Sequence, residues 1–310
     1  MSLIRKSVAV IASVSLAFSL AACNRDSAGE GGSGSVTLAL STQTNPFFVQ
    51  VRDGAQEKAD ELGIKLNVQD ASDDPSTQTN QLNNAASSGA EVVIVNPTDS
   101  DAVVPAVQAL NNADIPVIAV DRSSNGGEIA SFIASDNVAG GKQAADALAA
   151  AIGEEGEVLV LQGIAGSSAS RDRGQGFAEG IAAYPNIKVA ATQTANFDRT
   201  EGLDVATNLL QAHPNVKAIF AENDEMALGA LEALGARAGS EVMVVGFDGT
   251  ADGLRAVKEG RMVATIAQQP GELGARAVEE AKKILDGETP QAEVPVEVVT
   301  VTKDNVEEYL

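Results

Sequence analysis

From Val36 onward the chain alternates two patterns. Short β-branched runs recur at Val36–Leu40, Ile64–Val68, Glu91–Val95, Pro116–Val120, Val158–Leu161, Ile187–Ala191, Val216–Phe220, Val242–Gly246 and Val263–Ile266. Between most of them lie stretches rich in Ala, Leu, Glu, Gln and Lys. In Phe47 to Leu62 the apolar residues Phe48, Val51, Ala55, Ala59 and Leu62 fall three or four apart, which is the spacing of one helix face. Glu91–Val95 and Val242–Gly246 are apolar on both faces, as parallel strands covered on both sides must be. Strands alternating with helices in this way predict an α/β architecture with parallel sheets and right-handed crossovers. Nine such runs are too many for one core of this size. The segment Ile129–Ser135 also follows Val117–Val120 with no helix between them. That break near the middle places a crossover between two similar open sheets, each with helices on both faces.

The start of the chain has a different pattern. Arg5 and Lys6 precede an apolar run from Val8 to Leu20, and Leu20-Ala21-Ala22-Cys23 follows. A basic start, an apolar middle and a small-residue exit describe a secretory signal. The run is shorter than the roughly 20 apolar residues of a membrane-spanning helix. Cys23 is the only cysteine, so it has no disulfide partner, and it sits where the signal would be cut. Leu-Ala-Ala-Cys resembles the lipobox of bacterial lipoproteins, in which the thiol is acylated; the alternative is an ordinary signal with an incidental cysteine. Buried acyl chains, at about 0.8 kcal/mol per CH₂, would hold the protein on a membrane surface. Residues 1–22 are therefore expected to be a signal peptide and residues 23–35 a lipid-anchored tether. Asn24 to Ser35 contains four glycines among polar residues and has little apolar area to bury.

Charge narrows the partners. The formal net charge is −22, and cleavage of a leader carrying Arg5 and Lys6 makes it more negative. Such acidity argues against nucleic acid. The remaining ~275 residues suffice for two domains.

In open parallel sheets, ligands bind at the carboxyl ends of strands, where loops and helix N-termini converge. The residues that follow the runs are thus the candidates. Ser41 to Phe48 follow the first, Asp121-Arg122 the fourth, and Gln162-Gly163, leading to Arg171-Asp172-Arg173, the fifth. Asn196-Phe197-Asp198, Glu222-Asn223-Asp224, Phe247-Asp248 and Gln268 follow later ones. Aromatic residues are scarce, with eight Phe, two Tyr and no Trp, yet Phe47, Phe48, Phe197 and Phe247 all fall at expected strand-end loops. A sugar ring needs flat apolar faces for its C–H surfaces and polar partners for its hydroxyls. Asp121 and Asp248 balance Arg122 and Arg173, which favours a neutral polar ligand over a phosphate or carboxylate. Asp accepts two hydroxyl protons and Arg donates in a rigid fork, so vicinal diols suit both. Each residue also has a plainer reading. Asp121–Arg122 is a possible structural ion pair, Phe48 a possible core residue, and Asn223, Asp224 and Asp248 possible helix N-caps. Asn45 before Pro46 is a good N-cap too. Their joint placement on one edge favours a site.

An enzyme is not expected. The one histidine, His213, lies in a helix-exit loop before Pro214, and no phosphate-cradling glycine motif follows a strand. Asp121 and Asp248 could imitate a glycosidase pair, but each lies near an arginine that would hold it ionised and leave no acid. No metal or cofactor is expected.

Several stretches are similar to the periplasmic sugar-binding family of bacterial ABC transport, and within it to members that bind ribose. They are Asn45-Pro46-Phe47-Phe48-Val49, Ile94 to Val103, Ala134-Ser135-Asp136-Asn137, Leu161 to Gly166, Glu222 to Ala230, Met243 to Thr250 and Ala264 to Gln268. The resemblance implies two Rossmann-like lobes joined by a three-strand hinge. The N-terminal lobe would be 36–135 plus about 269–297, and the C-terminal lobe 136–268 plus about 298–310. Phe47, Phe48 and Phe197 would sandwich the pyranose ring. Ser41, Asn45, Asp121, Arg122, Arg173, Asn223, Asp248 and Gln268 would bond its hydroxyls. The implied protein is an extracytoplasmic, monomeric solute-binding lipoprotein that delivers D-ribose to an ABC permease and its ATPase. Another pentose or hexose, a furanosyl autoinducer, or a role as ligand sensor for a membrane receptor are the alternatives. A sugar-responsive repressor shares the implied fold, but a secretion signal stands here in place of its DNA-binding head.

Overall fold

The computed structural model describes residues 34–310. The apolar runs become strands β1 (Ser35–Leu40), β2 (Lys65–Asp70), β3 (Val92–Val95), β4 (Val117–Val120) and β5 (Ser131–Ser135), then β6 (Gly156–Gln162), β7 (Ile187–Thr194), β8 (Ala218–Ala221), β9 (Met243–Asp248) and β10 (Ala264–Ala267). Helices alternate with them: α1 (Pro46–Leu62), α2 (Pro75–Ser87), α3 (Val104–Asn112), α4 (Asn137–Ile152), α5 (Ser168–Ile181), α6 (Arg199–Ala212), α7 (Asp224–Leu234), α8 (Ala251–Lys258) and α9 (Pro270–Leu285). Two further strands, β11 (Glu293–Val296) and β12 (Val299–Thr302), were not among the expected runs.

The strands form two six-stranded sheets, ordered β11-β5-β4-β3-β1-β2 and β12-β10-β9-β8-β6-β7. The same winding occurs twice, so the two halves share a topology. Pairing is parallel except at β12, which runs antiparallel to β10. The chain passes between the sheets three times: from β5 into α4, from β10 into α9, and from β11 into β12. The break expected at Ile129–Ser135 is the first of these. β3, β4, β8 and β10 are buried at every residue, which explains their unbroken apolar sequences. At roughly 1.5–3 kcal/mol for each fully buried Val or Ile, these strands anchor the cores of both halves.

Local signals set the helix starts. Asn45 accepts a hydrogen bond from the Phe47 N–H at 2.9 Å, and Pro46 opens α1 with its φ already suited to a helix. Asn223 caps α7 by accepting from the Met226 N–H at 2.9 Å. The cap of α8 is Thr250, so Asp248 is released from that role. His213 is the C-cap of α6.

Gly141 and Gly176 let α4 and α5 touch backbone to backbone. A Cβ at Gly141 would lie 2.3 Å from the Arg173 carbonyl oxygen, and one at Gly176 2.1 Å from that of Val138. This close approach fixes the turn of α5 that carries Arg173.

Candidate functional site

The carboxyl ends of β1, β4, β6, β7, β8 and β9 meet at a small cavity. The first half contributes Asn45, Phe47, Phe48, Asp121 and Arg122, and the second contributes Ala169, Arg173, Phe197, Asn223 and Asp248.

Flat walls come first. Phe47 and Phe48 are edge to face, with ring centroids 5.1 Å apart. The Arg122 guanidinium lies 5.0 Å from the Phe48 centroid and 5.4 Å from that of Phe197, so one cation touches rings from both halves. Arg173 lies 5.7 Å from the Phe197 ring and 3.9 Å from Phe247. Aromatic faces thus hold both guanidinium planes.

The polar groups form two matched pairs. Arg122 Nε stands 3.6 Å from Asp121 Oδ2, and Arg173 Nη1 3.3 Å from Asp248 Oδ1. All four side chains are buried. Arg173 Nε also donates to Asn137 Oδ1 at 2.8 Å, and its Nη1 to the Glu222 carbonyl at 2.6 Å. Gln268 Nε2 donates to Asp248 Oδ1 at 2.7 Å. Asn96 supports the first pair: it accepts from the Ser41 N–H at 3.2 Å and donates to the Val120 carbonyl at 3.1 Å and to Asp121 Oδ2 at 3.3 Å. Asp121 Oδ1 and Arg122 Nε are buried without a hydrogen-bond partner among the described residues. A buried polar atom left in this way demands a partner, and a hydroxyl serves either one.

Burial raises the Asp121 and Asp248 carboxyls, while Arg122 and Arg173 pull them down. Burial likewise lowers Arg122, against the pull of Asp121. The expectation that the arginines alone decide ionisation therefore omitted the larger effect, desolvation. Hydroxyl donors entering the cavity favour the carboxylate form. The backbone is held in the left-handed region at Asp121 (φ 65°), Phe197 (φ 61°) and Asp248 (φ 119°). Conformations of this kind cost about 1–3 kcal/mol each and persist where the surroundings over-determine them.

Behind the wall, Glu222 and Asp224 flank Asn223 and tie down neighbouring loops. Glu222 Oε2 accepts from the Gly163 N–H at 2.7 Å and from the Ser170 hydroxyl. Asp224 accepts from the Thr250 N–H at 2.8 Å and from the hydroxyls of Thr250 and Thr265. Burial pushes Glu222 up to about 7 and Asp224 up to about 6.

Asn45, Phe47, Phe48, Asp121, Arg122, Arg173, Phe197, Asn223 and Asp248 all reach the cavity, whereas Ser41, Phe247 and Gln268 are absent from its lining. Phe247 is not in a loop. It is the penultimate residue of β9, wholly buried beneath Arg173. Ser41 meets the site through its N–H on Asn96, and Gln268 through its bond to Asp248. Several plainer readings hold alongside the site: Asn45 and Asn223 are caps, Asp121–Arg122 is an ion pair, and Phe48 belongs to the core. Sequence reasoning missed Asn96, Asn137 and Ala169. Asn96 had a signal, as the polar residue directly after an expected strand.

Cys23, the signal and the tether up to residue 33 lie outside the described residues; the tether's expected end at Ser35 is too late, because Ser35 already pairs with Lys65 as the first residue of β1. Among those described, no group of three or more His, Cys, Asp or Glu side chains could hold a metal, and no helix is long and apolar enough to cross a membrane.

Comparison with known proteins agrees with this geometry. The ribose import binding protein of Salmonella typhimurium is 52% identical over 268 residues, covering 86% of this chain and 90% of that one. The ribose import binding protein of Bacillus subtilis is 41% identical over 295 residues, covering 93% and 95%. Among solved structures, the Caulobacter myo-inositol binding protein bound to myo-inositol superposes with a TM-score of 0.85 at 36% identity, covering 90% of this chain and 96% of that one. The family model described as periplasmic binding protein domain matches residues 36–289. Doubly wound twin sheets, a cavity between their strand ends and these similarities lead to one conclusion: the chain belongs to the periplasmic binding protein family.

Proposed function

We propose that this chain captures D-ribose outside the cytoplasm and delivers it to an ABC importer, a permease with its ATPase. As a member of a binding-protein family it holds its ligand without turning it over. The observation that carries the reading is the cavity between the halves, where three phenylalanines face two mutually neutralising Asp–Arg pairs. Phe47, Phe48 and Phe197 enclose the ring. Asn45, Asp121, Arg122, Arg173, Asn223 and Asp248 take its hydroxyls. Ser41, Phe247 and Gln268 act from behind, through Asn96, Arg173 and Asp248 respectively. The lobes, 36–135 with 269–297 and 136–268 with 298–310, turn about the three crossings to admit and enclose the sugar. The protein works as a monomer, anchored to the outer face of the cell membrane by acylation of Cys23 after the Leu20-Ala21-Ala22 exit.

The energetics fit. Micromolar affinity is about −8.2 kcal/mol. Spread over the heavy atoms of a pentose this is roughly −0.8 kcal/mol each, below the ceiling of about −1.5 for the best small ligands. Titration calorimetry over a monosaccharide panel tests the proposal. Ribose should bind one to one, with glucose and galactose far weaker. Binding of allose or xylose with none for ribose would overturn the ligand assignment.

A further inference from the structure

The two halves also touch away from the cavity. Ser168, the first residue of α5, accepts a hydrogen bond at Oγ from the Ser123 N–H at 2.8 Å. Ser123 directly follows Arg122, so this bond grips the segment that carries the first Asp–Arg pair. Beside it the Ser100 N–H donates to the Gly166 carbonyl at 3.0 Å. Gly166 lies against Asp99, and a Cβ there would stand 1.8 Å from the Asp99 carboxylate. Ser100 and Ser168 are both buried. None of Ser100, Ser123, Gly166 and Ser168 lines the cavity.

We infer that the Ser168–Ser123 and Gly166–Ser100 contacts form a latch that sets sugar affinity without taking part in the choice of sugar. The inference rests on the cavity being the sugar site. The contacts join opposite halves, so they form only when the halves close, and they involve no ligand atom. A ligand's apparent affinity scales with the fraction of protein in the competent state. Weakening the latch lowers that fraction and divides the affinity for every sugar by the same factor. A residue that touches sugar changes the ratio between sugars instead.

The test is calorimetry on the full chain with ribose and with a second, weaker sugar from the panel, for wild type, Ser168→Ala and Gly166→Ala. Ser168→Ala removes one neutral acceptor and should weaken ribose binding about three- to tenfold. Gly166→Ala blocks the approach to Asp99 and should weaken it tenfold or more on the order-of-magnitude cost of overpacking. In both variants the ribose-to-second-sugar ratio should stay within about twofold of wild type, and the melting temperature without sugar should not move, because the contacts are specific to closure. Wild-type affinity in both variants overturns the latch and leaves the sugar site intact. A changed ratio also overturns it, since it makes these residues part of recognition. A wild type that binds no sugar on the panel overturns the site and the latch together.

Discussion

Asp248→Ala measures how much of the binding one buried carboxylate supplies. Gln268 Nε2 and Arg173 Nη1 both donate to the same oxygen, Oδ1. No hydrogen-bond donor reaches Oδ2 among the described residues, so Oδ2 is the atom free for a ligand hydroxyl. A hydrogen bond to a charged group contributes about 1.5–3 kcal/mol. Orphaning a buried charge can cost about 3–5 kcal/mol, but that cost falls on the sugar-free fold and is limited because Asn137 and the Glu222 carbonyl still hold Arg173. The expected loss of ribose affinity is therefore that of the ligand's own bond, about 1.5–3 kcal/mol, or roughly 10- to 150-fold. Titration calorimetry at neutral pH reads it, with the sugar-free melting temperature as a control on folding. Asp248→Asn keeps the shape but loses the charge, and should fall between wild type and Ala. It should also melt no lower than wild type without sugar, because burial disfavours the charged form it removes. Affinity within threefold of wild type for Asp248→Ala, with unchanged melting, would refute the reasoning and reduce Asp248 to an anchor for Arg173.

Two further perturbations separate walls from supports. Phe197→Ala removes the ring that both arginines face and should weaken ribose binding at least tenfold with little change in sugar-free melting; the same calorimetry decides, and unchanged affinity would show that Phe47 and Phe48 suffice. Glu222 titrates near 7 when folded against an ordinary 4.5, so the folded chain binds the extra proton, and that stability is full below about pH 4.5 and lost as pH rises through 7. It amounts to about 3 kcal/mol as an order of magnitude. Glu222→Gln should reduce the fall in melting temperature between pH 5 and 8, leaving the slopes due to Asp224 and Asp248, and an unchanged slope would refute the assignment.

The βα rhythm was legible because strands covered on both faces must be continuously apolar, as Val92–Val95 is. The β11 and β12 strands lack that signal, since Glu293, Pro295 and Val299 are exposed at sheet edges. The site was largely legible because its residues follow strands directly. Phe247 was misplaced for a local reason: the apolar run ends at Gly246, but the strand continues through Asp248, and pleat alternation turns the ring into the core. The stacking of Arg122 on Phe197 has no local signal. It joins residues from opposite halves, whose approach only the assembled fold provides.

The triple crossing also governs when the protein can become itself. The first half's core takes in Leu273, Ala277, Val278 and Ala281 from α9 and Val296 from β11, packed beside Val36, Leu38 and Ile94. Domains of most chains fold in the order in which they are made. Here the earliest strands wait for residues synthesised near the end, and β11 must still pair with β5 to finish that sheet. A nascent chain of this design stays incomplete in both halves until almost all of it exists. For a member of an extracytoplasmic family, that delay would leave the polypeptide without a finished core while it is being made, with both halves completed together by the last strands.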